Sequence, residues 1–246
     1  MTARIPDFDA RAATYDALRP PGEAWWHLFG VVVDVGDLRG HTVLDVGCGT
    51  GRLLAALVER AHARAWGVDA SAEMLAVARD ALPPGVGLKQ GRAEALPFRD
   101  GWFERVTMSL VVHLVDRPLA FSEVRRVLGT DGRLAIATFA CEHFEAYWLR
   151  PWFPSITELD RKRFPAGEAL LGELQAAGFG EVTSTPVSAL EVIDRKTALA
   201  RIRGRHISTF DLLPPEELEE GTARAERELP ERVEVRLEQL VVTAAR

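Results

Sequence analysis

The sequence predicts an α/β fold: a mostly parallel seven-stranded sheet with helices on both faces. Three observations carry that expectation. Short apolar runs alternate with helical patterns through the first 140 residues, the signature of β-α-β units. The first run, in VLDVGCGTGRL (43–53), passes directly into glycines at Gly47, Gly49 and Gly51. The second run ends on an acid, Asp69, eighteen residues beyond Gly51.

Each element follows from a local pattern. HTVLDVG (41–47) and ARAWGVD (63–69) read as short buried strands. Between them GRLLAALVERAH (51–62) has helical spacing, and SAEMLAVARDAL (71–82) forms the next helix, with Ser71 as N-cap and Met74 and Leu75 turned inward. GVGLKQG (85–91) and WFERVTMSLVV (102–112) are the third and fourth strands. PLAFSEVRRVL (118–128) is a helix opened by Pro118, and GRLAIATF (132–139) is the fifth strand. Beyond Phe139 the segment 141–165 is rich in aromatic residues and broken by prolines. A helix over 167–178 stops at Gly178, and 179–188 is strand-like. Two helices, RKTALARIRG and PPEELEEGTARAEREL, precede an alternating last strand at 232–245. The expected organisation is one domain over 1–246. Residues 1–40 form N-terminal lid helices, 41–140 a binding core, and 141–165 and 189–231 insertions that make a helical, aromatic cap over a substrate.

Composition narrows the classes of function. The chain has 246 residues, 47% of them apolar, and a formal net charge of -6. That balance gives no electrostatic footprint for nucleic acid. Cys48 and Cys141 are the sole cysteines, so no disulfide framework is expected and a reduced, cytoplasmic setting is the default. The N-terminus lacks the apolar core of a signal peptide, and no run is long enough to span a membrane. No histidine–carboxylate spacing suggests zinc, so no metal site is expected.

The glycines lie where a strand gives way to a helix, the ligand-binding edge of an open parallel sheet. Glycine there permits positive φ and close approach of a ligand to bare backbone. The phosphate-cradling loop would need Lys-Ser/Thr after its last glycine, whereas Arg52 and Leu53 follow here. The dinucleotide fingerprint would need a sixth-position glycine, which is Arg52, and this disfavours a nicotinamide dehydrogenase. Asp69 at the end of the second strand can accept both hydroxyls of an adenosine ribose.

In order and spacing, VLDVGCGTGRL, GVDASAEML, GRAEALPFRDGWFE and RVLGTDGRLAIATF resemble the class I S-adenosylmethionine-dependent methyltransferases, of the small-molecule type 11 group. The resemblance covers residues 8–140 most strongly, FDARAATYDALRP being similar to the opening helix of that group. It implies a Rossmann-like fold, S-adenosylmethionine as methyl donor with S-adenosylhomocysteine as product, and a small-molecule acceptor. It also implies roles. Gly47, Cys48 and Gly49 would pass under the methionine part, and Asp45 would orient its ammonium. Asp69 would hold the ribose, with Ala70 and Met74 against the adenine and Ala93 and Glu94 at its edge. Arg92 stands where relatives often carry Asp. Ser109 and Leu110 would line the methyl-donor pocket, and Tyr15 and Arg19 would lie near the carboxylate.

Plainer roles compete with these. Asp45 could cap the turn, and Met74 and Tyr15 could be ordinary packing residues. Cys48 has no evident base and is expected to be inert. His113 follows the fourth strand, where an acceptor would approach, and is either a general base or a wall residue. Tyr15 is a second candidate at the reacting centre. Trp148 in the aromatic segment is expected to contact substrate. His206, with Arg201, Arg203 and Arg205, could bind an anionic substrate, but a solvated helix face is the plain alternative, above all for Arg201. Nucleobase amino-methylation generally uses an Asn/Asp-Pro-Pro-aromatic loop after the fourth strand, where this chain reads SLVVHL. A protein methyltransferase and a non-catalytic cofactor-binding protein are the remaining alternatives. Oligomeric state and the acceptor's identity are not written in these motifs.

Overall fold

The structure is a computed structural model and describes residues 6–246. Residues 1–5 of the expected N-terminal lid lie outside the described part. The strands are β1 (Thr42–Val46), β2 (Arg64–Asp69), β3 (Gly87–Gln90), β4 (Phe103–Ser109), β5 (Leu128–Phe139), β6 (Gly180–Asp194) and β7 (Arg232–Ala245). They form one sheet in the order β3-β2-β1-β4-β5-β7-β6. All pairs from β3 to β5 are parallel, and β7 is antiparallel to both β5 and β6. The order reverses at β1, next to β4, and this creates the crevice at the strand ends.

The helices are α1 (Glu23–Val35), α2 (Arg52–Ala61), α3 (Ala72–Ala81), α4 (Arg117–Val127), α5 (Cys141–Glu145), α6 (Ser155–Arg163), α7 (Gly167–Ala176), α8 (Arg195–Arg203) and α9 (Pro215–Glu228). Strand alternation distributes the core between two faces. Val43, Ala135 and Val241 pack with α1 and α2 on one face. Leu44, Val106, Met108 and Ile136 pack with Phe121 and Val124 of α4 and Leu170 and Leu174 of α7 on the other. Caps set the boundaries: Ser71 Oγ accepts the Met74 N–H at 3.0 Å, and Asp116 accepts the Leu119 N–H at 3.2 Å. The fourth helix therefore begins at Arg117, with Pro118 in its first turn rather than at its first position.

Three expectations require correction. The segment 8–20 is not an α-helix; it holds a 3-10 turn at Ala12–Thr14, and α1 is the one α-helix before residue 40 among the described residues. The fourth strand ends at Ser109 because Leu110 turns into positive φ (53°). The sixth strand does not stop at 188. Ser188 to Asp194 pair with Glu238 to Arg232, so the helical insertion starts at Arg195. β5 pairs with β7 only from Gln239 to Ala245. The β6–β7 ribbon thus projects beyond the rest of the sheet.

The cap is built on that projection. Val233 and Val235 of β7 join Phe144, Trp148, Phe153, Ile202, Phe210 and Ala225 in a separate apolar core. The aromatic segment contains two helices, α5 and α6, and the segment after β6 contains α8, α9 and a 3-10 turn at Ser208–Leu212. The N-terminal segment straps the two parts together. Asp16 pairs with Arg52 and accepts the Thr50 hydroxyl at 3.0 Å beside the glycine loop. Arg11 pairs with Asp211 at 2.7 Å and donates to the carbonyls of Arg205 and Ile207 in the cap.

Candidate functional site

The carboxyl ends of β1, β2 and β4 open onto two adjoining cavities. The smaller, about 180 Å³, lies between the second and third strand ends and the start of α3. Asp69, Ala70, Met74, Ala93 and Glu94 line it. The larger, about 320 Å³, extends from Asp45, Cys48 and Arg19 to the cap residues Trp148 and His206. Tyr15, Gly47, Gly49, Ser109 and Leu110 line both and form the junction.

The glycine loop explains its own composition. Gly47 has φ 74°, and a Cβ there would stand 2.6 Å from the Val111 side chain. Gly49 has φ 54°, and a Cβ there would meet nothing within 4 Å, since it would project into open space above the loop. Both positions exclude larger residues, the first by packing and both by backbone conformation. Asp69 is oriented by this loop: one carboxylate oxygen accepts the Gly49 N–H at 2.8 Å and the other the Ser71 N–H at 2.9 Å. Burial raises its pKa, and these backbone donors oppose the rise. Asp45 is 2% exposed and accepts the Thr107 hydroxyl at 2.8 Å. Burial pushes it up to about 7, against the pull of that hydrogen bond. Cys48 is buried, and burial raises its thiol well above the usual range, so it carries no thiolate at neutral pH.

Leu110 sits in the left-handed region although it is not glycine, held by its N–H on the Ala137 carbonyl at 2.8 Å. Strain of about 1–3 kcal/mol at such a residue is typical of functional junctions. Glu94 is engaged on both oxygens: it accepts the Asp116 N–H at 3.0 Å and pairs with Arg92 at 3.3 Å. Arg92 thereby faces the smaller cavity through its ion pair. Glu104 lies at the other end of the sheet, where the Thr42 N–H holds its carboxylate down at about 2.

The larger cavity has an aromatic wall. His113 stacks on Phe164 at 3.9 Å, and Phe139 stacks on His143 at 4.1 Å. Burial, reinforced by Arg163, lowers the His113 pKa to about 3, and its Nδ1 is buried without a partner. The titration near neutrality expected of an ordinary histidine is therefore absent, and the imidazole is neutral. Tyr15 carries the Arg19 guanidinium 4.1 Å above its ring. Trp148 and His206 face one another at 6.1 Å at the cap end.

Arg203 does not join the site. Its side chain is 60% exposed and pairs with Glu226 at 2.8 Å on the outer surface. Arg201, expected on a solvated face, lines the cavity instead. Two residues along a helix are turned about 200° apart, so the inward position of one excludes the other. The sequence reading also missed His143, Asp160 and Glu191, all of which line the larger cavity. Asp160, 2% exposed, accepts from Thr209 at 2.7 Å and Arg163 at 3.1 Å, and burial pushes it up to about 6. Asp160 and Phe164 are one helical turn apart, which was a readable signal for a shared face.

Comparison with known proteins agrees with this architecture. The family described as methyltransferase domain matches residues 44–136. The chain is 34% identical over 178 residues to the 2-phytyl-1,4-naphtoquinone methyltransferase of Thermosynechococcus vestitus, covering 61% of this chain and 76% of that protein. It is 33% identical over 142 residues to the ubiquinone/menaquinone biosynthesis C-methyltransferase UbiE of Bordetella avium, covering 54% of this chain and 56% of that one. In fold it is similar to a provisionally assigned methyltransferase from an antibiotic biosynthesis pathway of Anabaena variabilis, with a TM-score of 0.70, 21% identity, and coverage of 87% of this chain and 95% of the other. With a glycine loop, an acid at the end of β2 and a crevice of this topology, the chain belongs to the methyltransferase-domain family and is an S-adenosylmethionine-dependent methyltransferase.

Proposed function

We propose that the chain methylates a small, planar, largely apolar acceptor held in the larger cavity, with the methyl donor spanning the smaller one and the junction. One observation carries the reading: the smaller cavity, sized and edged for a nucleoside, opens through Gly47, Gly49 and Leu110 into a second cavity walled by aromatic rings. When bound, S-adenosylmethionine supplies an electrophilic methyl group on a sulfonium. Asp69 receives the ribose hydroxyls, and Ala70, Met74, Ala93 and Glu94 surround the adenine. Gly47, Cys48 and Gly49 leave room for the methionine part, Asp45 accepts from its ammonium and Arg19 meets its carboxylate. Tyr15, Ser109 and Leu110 bracket the point of transfer.

The remaining work is alignment. Orienting two reactants can lower the barrier by roughly 7–11 kcal/mol, so no nucleophile of the protein is required. His113 acts as a neutral wall and hydrogen-bonding group beside the acceptor, and Trp148 covers its far side. Curated relatives are named for quinone substrates, which have the planar, apolar character this cavity suits. The acidic net charge disfavours nucleic acid as acceptor. No described helix is long and apolar enough to cross a membrane, and with two unpaired cysteines a cytoplasmic location is proposed. The test is calorimetric titration with S-adenosylhomocysteine and NAD, followed by transfer of labelled methyl to 1,4-naphthohydroquinone. Binding of the first ligand alone and label in the second support the proposal. NAD binding with no affinity for S-adenosylhomocysteine refutes it.

A further inference from the structure

We propose that the cap end of the larger cavity is an anion subsite, in which Arg201 grips a carboxylate carried by an aromatic acceptor; the inference rests on the reading of that cavity as the acceptor site.

Two guanidiniums that line the cavity, Arg19 and Arg201, have no carboxylate within hydrogen-bonding distance among the described residues. Asp16 is taken up by Arg52 and Asp160 by Arg163 and Thr209, while Asp45, on β1, accepts only the Thr107 hydroxyl among the described residues. Arg11 is taken up by Asp211 and two carbonyls. Arg19 and Arg201 remain. Among the described residues Arg19 has no carboxylate partner and rests on the Tyr15 ring. Arg201 is 14% exposed, its Nε is buried without a partner, and its nearest carboxylate, Glu191, is 3.8 Å away, beyond hydrogen-bonding distance.

A partly buried guanidinium with an idle donor is costly, and a planar carboxylate matches its fork. His206 is lowered to about 3 by burial and then by Arg19, Arg201 and Arg11, against the pull of the Arg201 carbonyl on its ring. The body of the ligand is set by the rings that line the same cavity as Arg201, chiefly Phe144, Tyr147 and Trp148. α8 delivers only Arg201 to this point, because Arg203 is held outside by Glu226.

The probe is 2-naphthoate, with 2-naphthamide as its neutral isostere, titrated by calorimetry into protein saturated with S-adenosylhomocysteine. Naphthoate is expected to bind at least about tenfold more tightly than the amide, the lower end for a hydrogen bond to a charged group. Arg201→Gln should erase that preference and Arg203→Gln should keep it. Glu191→Gln should strengthen naphthoate binding severalfold by freeing Arg201, a gain that misfolding cannot imitate. Equal binding of acid and amide, no binding of either, or a preference that survives Arg201→Gln overturns the proposal. So does a loss of S-adenosylhomocysteine affinity in Arg201→Gln, which would give that guanidinium to the cofactor instead. Failure of the wild type to bind S-adenosylhomocysteine in the preceding titration would fall on the underlying reading of the cavities.

Discussion

Cofactor binding should release a proton below pH 7, and Asp45 is the group that loses it. In the free protein this carboxyl is buried and titrates at about 7. One unit below that value about one molecule in ten carries the charge, and one unit above it about nine in ten do. If the ionised form alone receives the cofactor's ammonium, affinity for S-adenosylhomocysteine at pH 6 is about tenfold, or about 1.4 kcal/mol, below its value at pH 8. The sign for folding runs the other way. The folded state holds its proton to higher pH than the unfolded chain, so this group removes stability as pH rises from about 4 through about 7. The loss is on the order of a few kcal/mol in the ligand-free protein. Asp45→Asn keeps an oxygen for the Thr107 hydroxyl and removes the charge. It should bind S-adenosylhomocysteine more weakly, with a flat pH dependence from 6 to 8, and should melt higher than the wild type at pH 8. The assay is calorimetry in two buffers of different ionisation enthalpy, which counts protons directly. A wild-type affinity that is flat between pH 6 and 8, with no buffer-dependent heat, would refute the reasoning.

Three further outcomes are expected. Gly49→Val should lose S-adenosylhomocysteine binding while remaining folded by circular dichroism, because its side chain enters open space above the loop and strains a φ of 54°; wild-type affinity would contradict the loop's role. His113→Asn should leave the shape of the pH–rate profile between 5 and 8 unchanged, because the wild-type ring already titrates at about 3. A wild-type inflection near 6.5 that disappears in the variant would make His113 the base after all. Asp16→Ala should speed hydrogen exchange across residues 8–19 by breaking the strap's hold on Arg52 and Thr50, and S-adenosylhomocysteine should slow that exchange in the wild type. Equal exchange in both proteins would show that the strap does not depend on this anchor.

Local signals determined the half of the molecule that carries the glycine loop. An apolar run that stops at glycine, a helix with inward Leu54 and Leu57, and an acid at the end of the next run are all short-range patterns, and each became the element expected of it. The residues that line the smaller cavity follow from the chain's own order, because consecutive β-α units bring successive strand ends to one edge. The far end of the sheet was less legible. ALEVID, after Ser188, alternates like a strand but leaves Leu190 and Val192 exposed, so burial gave no cue that it continues β6.

The larger cavity was decided by tertiary structure alone. Its wall joins Tyr15, His113, His143, Phe164 and Arg201, which come from five separated segments, and no periodicity links them. Arg201 and Arg203 are alike in sequence, and only the docking of α8 on the projecting β6–β7 ribbon sends one inward and the other to Glu226. His113 shows the same division in its chemistry. Its place after the fourth strand could be read from the chain, but its charge state could not, because burial against Phe164 and beside Arg163 is what keeps the ring neutral. Spacing within a strand or helix fixes which atoms share a face; desolvation and pairing depend on what the rest of the chain lays against that face.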